Sequence, residues 1–211
     1  FAEISKMILP KDYQRIDFSR FKIYLIEGSQ NTLNNMSELS RKTSRRYLEK
    51  MGVKILTSTY VKDYDGRTLT LSNGDTIGAM TVIWAAGVTG NKIEGLPREA
   101  EGPGNRIRVD RYNKVVGLED VFAVGDIAYM ETPKYPKGHP QVANVAINQA
   151  RNLALNFTRR LKGRSLKEYE YKDLGSMATI GRNKAVVDFP FFRFKGFFAW
   201  VVWMFLHLML I

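Results

Sequence analysis

Cysteine is absent from all 211 residues. Disulfides, thiolate nucleophiles and cysteine-ligated zinc or iron–sulfur centres are therefore excluded within the chain, and the composition fits a reducing compartment. Histidine is nearly as scarce. His139 and His207 lie far apart in sequence, which argues against a histidine-rich metal site and leaves each to a packed or hydrogen-bonded role. Any electron carrier must then be a bound organic group. No G-x-G-x-x-G opens a strand–turn–helix unit, although that loop normally seats a pyrophosphate at a helix N-terminus. The chain accordingly reads as part of a larger protein. Residues 1 to 21 offer no continuous apolar core of a secretory signal, because Phe1 to Lys6 is followed by Pro10-Lys11-Asp12-Tyr13, and this start reads as an interior segment. Long apolar runs are also missing. The longest, Phe197 to Ile211, would span only about 22 Å as a helix against a hydrocarbon layer of roughly 30 Å, which reads as a buried or interfacial helix rather than a spanning one.

Charge is present in excess. The formal net charge is +11, carried by scattered positions such as Lys42, Arg45, Arg46, Arg159, Arg160, Lys162 and Arg164 rather than by one aromatic-interleaved strip, so nucleic acid is a poor partner. Arg193 and Lys195 precede the apolar C-terminal run and suit an anionic lipid surface. A merely soluble basic surface is the alternative.

The pattern along the chain is α/β. Phe21 to Glu27 reads as a strand of a covered parallel sheet, a helix is predicted over roughly 37–51 with Leu39, Tyr47, Leu48 and Met51 as its apolar positions, and Gly52 stops it. Val53 to Leu56 gives the next strand. Thr68–Leu71 and Thr76–Ile77 flank Asn73-Gly74, a hairpin signal. Thr81 to Trp84 is expected to return to the sheet and Val121 to Val124 to form a short buried strand. Pro140 suits the first turn of a helix running to Leu161. Beyond Gly163 the pattern changes to short strands at Tyr169–Tyr171, Ser176–Ile180 and Ala185–Asp188, suited to an appended antiparallel sheet.

Two strand ends stand out. Trp84-Ala85-Ala86-Gly87-Val88 and Val124-Gly125-Asp126-Ile127-Ala128 each place small residues and a sharp turn after an apolar stretch, where a ligand can approach the backbone. A pair of such ends points to a flavin-dependent oxidoreductase that also binds a nicotinamide dinucleotide. Glu27 closes its strand with a carboxylate able to accept from the hydroxyls of an adenosine ribose, or it is a solvated edge residue. Gly125 can admit a cofactor backbone and Asp126 can accept a ribityl hydroxyl, or Asp126 caps the next turn. Asn144, Asn148 and Gln149 form a polar seam whose amides can reach a planar ring or a quinone, or else bridge helices.

These segments occur in one order, together with Ser176-Met177-Ala178-Thr179-Ile180-Gly181-Arg182-Asn183-Lys184-Ala185. In that order the chain resembles the type II NADH dehydrogenases, the single-subunit NADH:quinone oxidoreductases. The resemblance implies a partial two-dinucleotide-binding-domain flavoprotein with an appended C-terminal antiparallel sheet and a membrane-associated region. It places a partial NAD-binding domain with its incoming linker at 1–105, the returning part of the FAD-binding domain at 106–164, and the start of a membrane-docking domain at 165–211. It assigns NAD contacts to Glu27, Trp84, Ala85, Ala86 and Gly87, FAD contacts to Gly125, Asp126, Val142 and Ala143, and quinone proximity to Asn144, Asn148 and Gln149. The family motif A-Q-x-A-x-Q-Q reads here as Ala143 to Gln149 with Asn144 and Asn148 in place of the leading glutamines, so those amides reach less far.

The implied cofactors are FAD and NAD, with no metal. Hydride would pass from NADH C4 to flavin N5, and two electrons with two protons onward to a membrane quinone without proton pumping. The implied setting is peripheral, on the cytoplasmic face of a bacterial inner membrane, with a homodimer as a further partner. The missing glycine loops and last anchoring helices would lie outside residues 1–211, leaving this piece alone inactive. The competing readings are a related NADH-dependent reductase acting on a soluble protein or disulfide, and a non-catalytic membrane-binding fragment.

Overall fold

In the computed structural model, which describes residues 1–209, two short helices, α1 (Ala2–Met7) and α2 (Leu9–Asp12), precede the strand β1 (Ile23–Ile26). Next come the helix α3 (Glu38–Lys50), β2 (Val53–Leu56), β3 (Val61–Tyr64), β4 (Thr68–Leu71) and β5 (Thr76–Gly78). The middle of the chain holds short 3₁₀ turns, the strands β6 (Ile107–Arg108) and β7 (Ala128–Tyr129), and the long helix α4 (Ala143–Leu161). The chain then runs through β8 (Ser176–Gly181), β9 (Lys184–Asp188), β10 (Arg193–Gly196) and the helix α5 (Phe197–Met209). The chain divides into two units, one of Phe1–Ile83 with the chain from Leu174, the other Trp84–Asp173. These divisions differ from the sequence boundaries at 105/106 and 164/165.

In the first unit β1 and β2 pair in parallel, Ile23 opposite Val53 through Ile26 opposite Leu56, as their β-branched residues and Tyr24 favour. The connection between them is α3, whose N-cap Ser37 accepts from the Ser40 N–H and whose end is turned by Gly52 at φ +76°, a conformation costly for any other residue. Of the expected apolar positions of α3, Tyr47, Leu48 and Met51 are half-buried, but hydroxyl-bearing residues are buried more deeply. Ser40, Thr43 and Ser44 are buried while Leu39 is 39% exposed. The reason lies in β9. Asp188 reaches the N-terminus of α3, accepting from the Ser37 N–H at 2.5 Å, the Ser37 hydroxyl at 2.8 Å and the Ser40 hydroxyl at 2.8 Å, so hydroxyl-bearing residues occupy the interface. Burial alone would raise the Asp188 carboxyl, but these donors and Arg193 hold it below the usual carboxylate range.

The β4–β5 hairpin forms as expected, with Gly74 at φ +89°, and β3 adds a third antiparallel strand to it. The appended sheet has the order β10-β9-β8, all antiparallel. Its core is Ala185, Val187 and Ala199 under Met177, Trp200 and Trp203. Phe194 lies against Phe189, Phe192 and Phe198. No helix among the described residues is long and apolar enough to cross a membrane. Leu210 and Ile211, the last two residues of the apolar run, lie outside the described residues.

The second unit is built around β6 and β7, paired in parallel. Ala100, Ile107, Val109, Val115, Ala128, Met130 and Val145 of α4 form its core, joined by Tyr169 and Tyr171.

Four local expectations are corrected. Thr81 to Trp84 forms no strand, and Trp84 is 69% exposed. The parallel sheet of the first unit has only two strands, so nothing among the described residues offers this segment a ladder. Val121 to Val124 makes only an antiparallel bridge, Phe122 to Lys114, because Gly125 at once turns the chain into a 3₁₀ turn. Tyr169 to Tyr171 is no strand of the appended sheet, for the Tyr169 N–H donates to the Arg111 carbonyl at 2.8 Å and its ring enters the second unit's core. Pro140 lies before α4 rather than in its first turn, since the helix starts at Ala143 with Val142 as N-cap.

Candidate dinucleotide sites

Glu27 follows directly on β1. Its N–H donates to the Leu56 carbonyl at 2.8 Å, and its own carbonyl accepts from Thr59 at 3.1 Å, so the backbone here is held by the sheet edge beyond β2. The half-buried carboxylate is held too, because Oε1 accepts the Ser29 N–H at 2.8 Å. That leaves Oε2 for a ligand hydroxyl. Gly28 has a steric reason, since any side chain there would collide with the Tyr60 ring. Ser29 and Tyr60 had no sequence signal. Trp84, Ala85, Ala86 and Gly87 belong to the second unit, where all four are exposed and Gly87 has φ +102° with open space at its missing Cβ.

In the second unit the Gly125-Asp126 turn and α4 form one construction. Gly125 adopts φ +76°, and a Cβ on it would stand 3.3 Å from the Ala146 Cβ. Its N–H donates to Gln149 Oε1 at 2.7 Å. Asp126 has an exposed side chain, and its carbonyl accepts from Gln141 Nε2 at 3.1 Å. Val142 and Ala143, at the start of α4, are exposed, and no side chain caps the helix. Asn148 Nδ2 donates to the Asn144 carbonyl at 2.8 Å and to its Oδ1 at 2.5 Å, so these two amides engage each other at the half-buried surface. Gln149 is instead fully buried.

Sequence reasoning missed Arg106. Its Nη2 donates to the carbonyls of Ala128 at 2.5 Å and His139 at 3.2 Å, and its guanidinium lies over the Tyr129 ring at 5.2 Å. Burial lowers its pKa, opposed by Tyr129 and Asp126. Nothing in the motif Arg106-Ile107-Arg108 tells which arginine turns inward.

His139 is packed, as its scarcity led us to expect. Its ring meets Tyr135 at 5.2 Å and Tyr169 at 5.4 Å between centroids. Burial pushes the imidazole below its ordinary range, outweighing Glu170, whose Oε1 is 3.8 Å from Nε2. Burial also pushes the Tyr169 phenol up to about 12. Between the folded His139 value and about 6.5 the unfolded chain binds a proton that the folded one refuses. The stability contributed by the neutral imidazole is thus present above pH ~6.5 and lost as pH falls through that window toward the folded value. Thermal unfolding of the intact protein across pH 7 to 5 should show this decline, and His139→Phe should flatten it; equal slopes for both proteins would refute the assignment.

Several features fit an oxygen-rich dinucleotide in the second unit. Gly125, Ala143 and Ala146 keep side-chain bulk away, and the first turn of α4 offers N–H groups without a side-chain cap among the described residues. No group of His, Asp or Glu among the described residues could hold a metal ion.

Residues 11–150 match the model of the pyridine nucleotide-disulphide oxidoreductases. The chain belongs to that family. FAD and NAD are the cofactors of the family's fold, and the parallel β1–β2 and β6–β7 pairs are Rossmann-like pieces of its two dinucleotide-binding subdomains.

Among relatives, the chain is similar to the type II NADH:quinone oxidoreductase Ndh of Mycobacterium tuberculosis, 31% identical over 98% of this chain and 46% of that protein. It is also similar to the mitochondrial internal alternative NAD(P)H-ubiquinone oxidoreductase A1 of Arabidopsis thaliana, 32% identical over 96% of this chain and 43% of that protein. The fold matches the structure of NDH2 from Plasmodium falciparum in complex with NADH, with TM-score 0.86 and 18% identity, covering 100% of this chain and 58% of that one. The chain thus spans about half the length of the curated relatives it matches. The family is one of FAD- and NAD-binding oxidoreductases.

Proposed function

We propose that the intact protein oxidises NADH and reduces a membrane quinone, without proton pumping, while bound peripherally at the cytoplasmic face of a bacterial inner membrane. The observation that carries the reading is the similarity along 98% of the chain to a relative named for that activity. Bound FAD would supply the two-electron relay between nicotinamide and quinone. The chain's own residues bind and orient. Glu27 accepts from the adenosine ribose through Oε2, Gly125 lets the backbone approach the flavin nucleotide, and Asn144 and Asn148 present amides to the quinone head group. The 211-residue piece alone is inactive in this reading.

The test uses the intact polypeptide, purified with FAD, and follows NADH absorbance with a soluble quinone. Quinone-dependent oxidation is expected. An FAD-loaded enzyme that reduces a soluble protein or disulfide but no quinone would overturn the acceptor assignment.

The C-terminal surface supports the membrane side of the reading. Phe191 is 95% exposed, and Phe192, Phe197, Phe198, Phe205 and Leu208 are exposed with it, beside the exposed Arg193 and Lys195. Apolar exposure on this scale with a basic flank suits insertion among lipid head groups. Replacing Phe191 and Phe198 by serine in the intact enzyme should weaken binding to anionic vesicles by tenfold or more, with FAD retained. Vesicle binding equal to that of the unaltered enzyme, at low and high salt, would sink this attachment site.

A further inference from the structure

The chain just past β1 and the chain just past β2 run side by side beyond the strand ends. The Glu27 N–H donates to the Leu56 carbonyl at 2.8 Å, the Thr59 N–H to the Glu27 carbonyl at 3.1 Å and the Ser58 N–H to the Ser29 carbonyl at 2.8 Å. Tyr60 follows, and its main chain is held on the far side as well. Its N–H donates to Ser72 Oγ at 3.1 Å, and its carbonyl accepts the Ser72 N–H at 2.8 Å. The side chain turns back across Gly28. A Cβ on Gly28 would overlap Cε1 of the ring and stand 2.8 Å from Cζ and 2.9 Å from Cδ1, and so small a spread puts Gly28 under the face of the ring rather than off its edge. Tyr60 is nevertheless 64% exposed, so main chain covers one face and the other is open to solvent. A ring this exposed contributes little through burial. What the arrangement supplies is a flat aromatic surface, fixed one residue away from the Glu27 carboxylate.

We propose that Tyr60 is a positioning residue for NADH: its open face stacks the adenine of the dinucleotide whose ribose hydroxyls meet Glu27 Oε2. The inference rests on the ribose reading of Glu27 and not on the identity of the electron acceptor. Covalent chemistry links the two contacts, because the purine is bonded directly to the ribose that Glu27 holds and so lies within one glycosidic bond of that sugar. Every base presents a π-face, and an aromatic side chain holds it through ring overlap rather than through a hydroxyl. Gly28 then does more than avoid a clash, since its missing Cβ lets the ring lie flat on the main chain. Stacking does not read the extra phosphate. Tyr60 therefore adds affinity for NADH and NADPH alike and leaves the choice between them to Glu27.

The test uses the intact, FAD-loaded protein as Tyr60→Ala and Tyr60→Phe, with ADP-ribose as the adenosine-bearing probe. Tyr60→Ala should bind ADP-ribose about tenfold more weakly. It should also raise the KM for NADH and for NADPH together, so that the ratio of their kcat/KM values stays where it was. Tyr60→Phe keeps the ring and should keep the affinity. Unaltered ADP-ribose affinity in a folded Tyr60→Ala protein, or an equal loss in Tyr60→Phe, overturns the proposal. A purely structural role would lower the melting temperature and the FAD content without a change in ADP-ribose affinity, which overturns it too. Glu27→Gln, measured alongside, separates this inference from the reading it rests on. Weaker ADP-ribose binding by Glu27→Gln but not by Tyr60→Ala overturns the stacking role alone, whereas no loss in either removes the dinucleotide from this edge of the sheet. A measurement with Tyr60 intact covers a failure of Tyr60→Ala to fold. In protein with ¹³C-labelled tyrosine rings, ADP-ribose should shift the signal that is missing from Tyr60→Phe, and no shift of that signal overturns the proposal.

Discussion

Replacing Gly125 by valine is expected to give an intact protein that folds but purifies with little or no FAD. At φ +76° a β-branched residue occupies a region that costs an ordinary L-residue roughly 1–2 kcal/mol, and valine more. The new Cβ would stand 3.3 Å from the Ala146 Cβ, closer than the start of α4 can accept without shifting. Relief of both strains means turning the peptide, which breaks the 2.7 Å bond from the Gly125 N–H to Gln149. A loss of FAD affinity of about a hundredfold corresponds to roughly 2.8 kcal/mol, within reach of these combined effects. Flavin absorbance per protein decides it, with the melting temperature of the apo-protein as the folding control. Gly87→Val is the comparison, since Gly87 shares positive φ but has open space at its Cβ. Full flavin occupancy in a folded Gly125→Val protein would remove FAD from this turn.

The second large effect concerns cofactor choice. Glu27→Gln should reduce the preference for NADH over NADPH, read as the ratio of kcat/KM values, by at least tenfold. A carboxylate hydrogen bond to a ribose is charge-assisted, worth about 1.5–3 kcal/mol, and the same charge repels the extra phosphate of NADPH. Oε1 is already held by the Ser29 N–H, so the side chain is organised before a ligand arrives. Lys54, on the neighbouring strand, stands over the Tyr24 ring instead of pairing with Glu27. FAD content must match between the two proteins. An unchanged ratio would mean that another group selects the cofactor.

Much of the local architecture was legible in sequence because its causes act over a few residues. Asn73-Gly74 specified a hairpin through the backbone angles that glycine permits, Gly52 marked the end of α3, and the strands β8 and β9 appeared within a residue of their observed limits. Helical spacing located α4 but not its first residue, because Pro140 is compatible with both a first turn and the extended chain before one. The pattern at Thr81 to Trp84 was as apolar as a strand requires, yet a strand exists only where a neighbour supplies the ladder.

The candidate site was legible as places rather than as contacts. Gly125 could be singled out because a glycine after a short apolar stretch signals a close approach or a positive φ. That its N–H is held by Gln149, twenty-four residues on, could not, since Asn144, Asn148 and Gln149 are chemically alike along the chain and differ only in which way α4 turns them. The same holds for Arg106 and Arg108, one sending its guanidinium to buried carbonyls, the other to Glu131.

By itself the sequence excluded cysteine chemistry within these 211 residues, argued against a histidine-rich metal site, ordered the α/β segments and marked the glycine turns after Trp84 and Val124 where a dinucleotide could approach, all consequences of residue type and short-range geometry. Only the tertiary structure decided that α3 buries hydroxyls more deeply than its apolar side chains, that Asp188 caps it from β9, that Tyr169 packs with His139, and that of Asn144, Asn148 and Gln149 only the last is sealed against Gly125. Those outcomes depend on which donor meets which acceptor across long stretches of chain, and burial, which sets the cost of leaving either unpaired, exists only once the chain has folded.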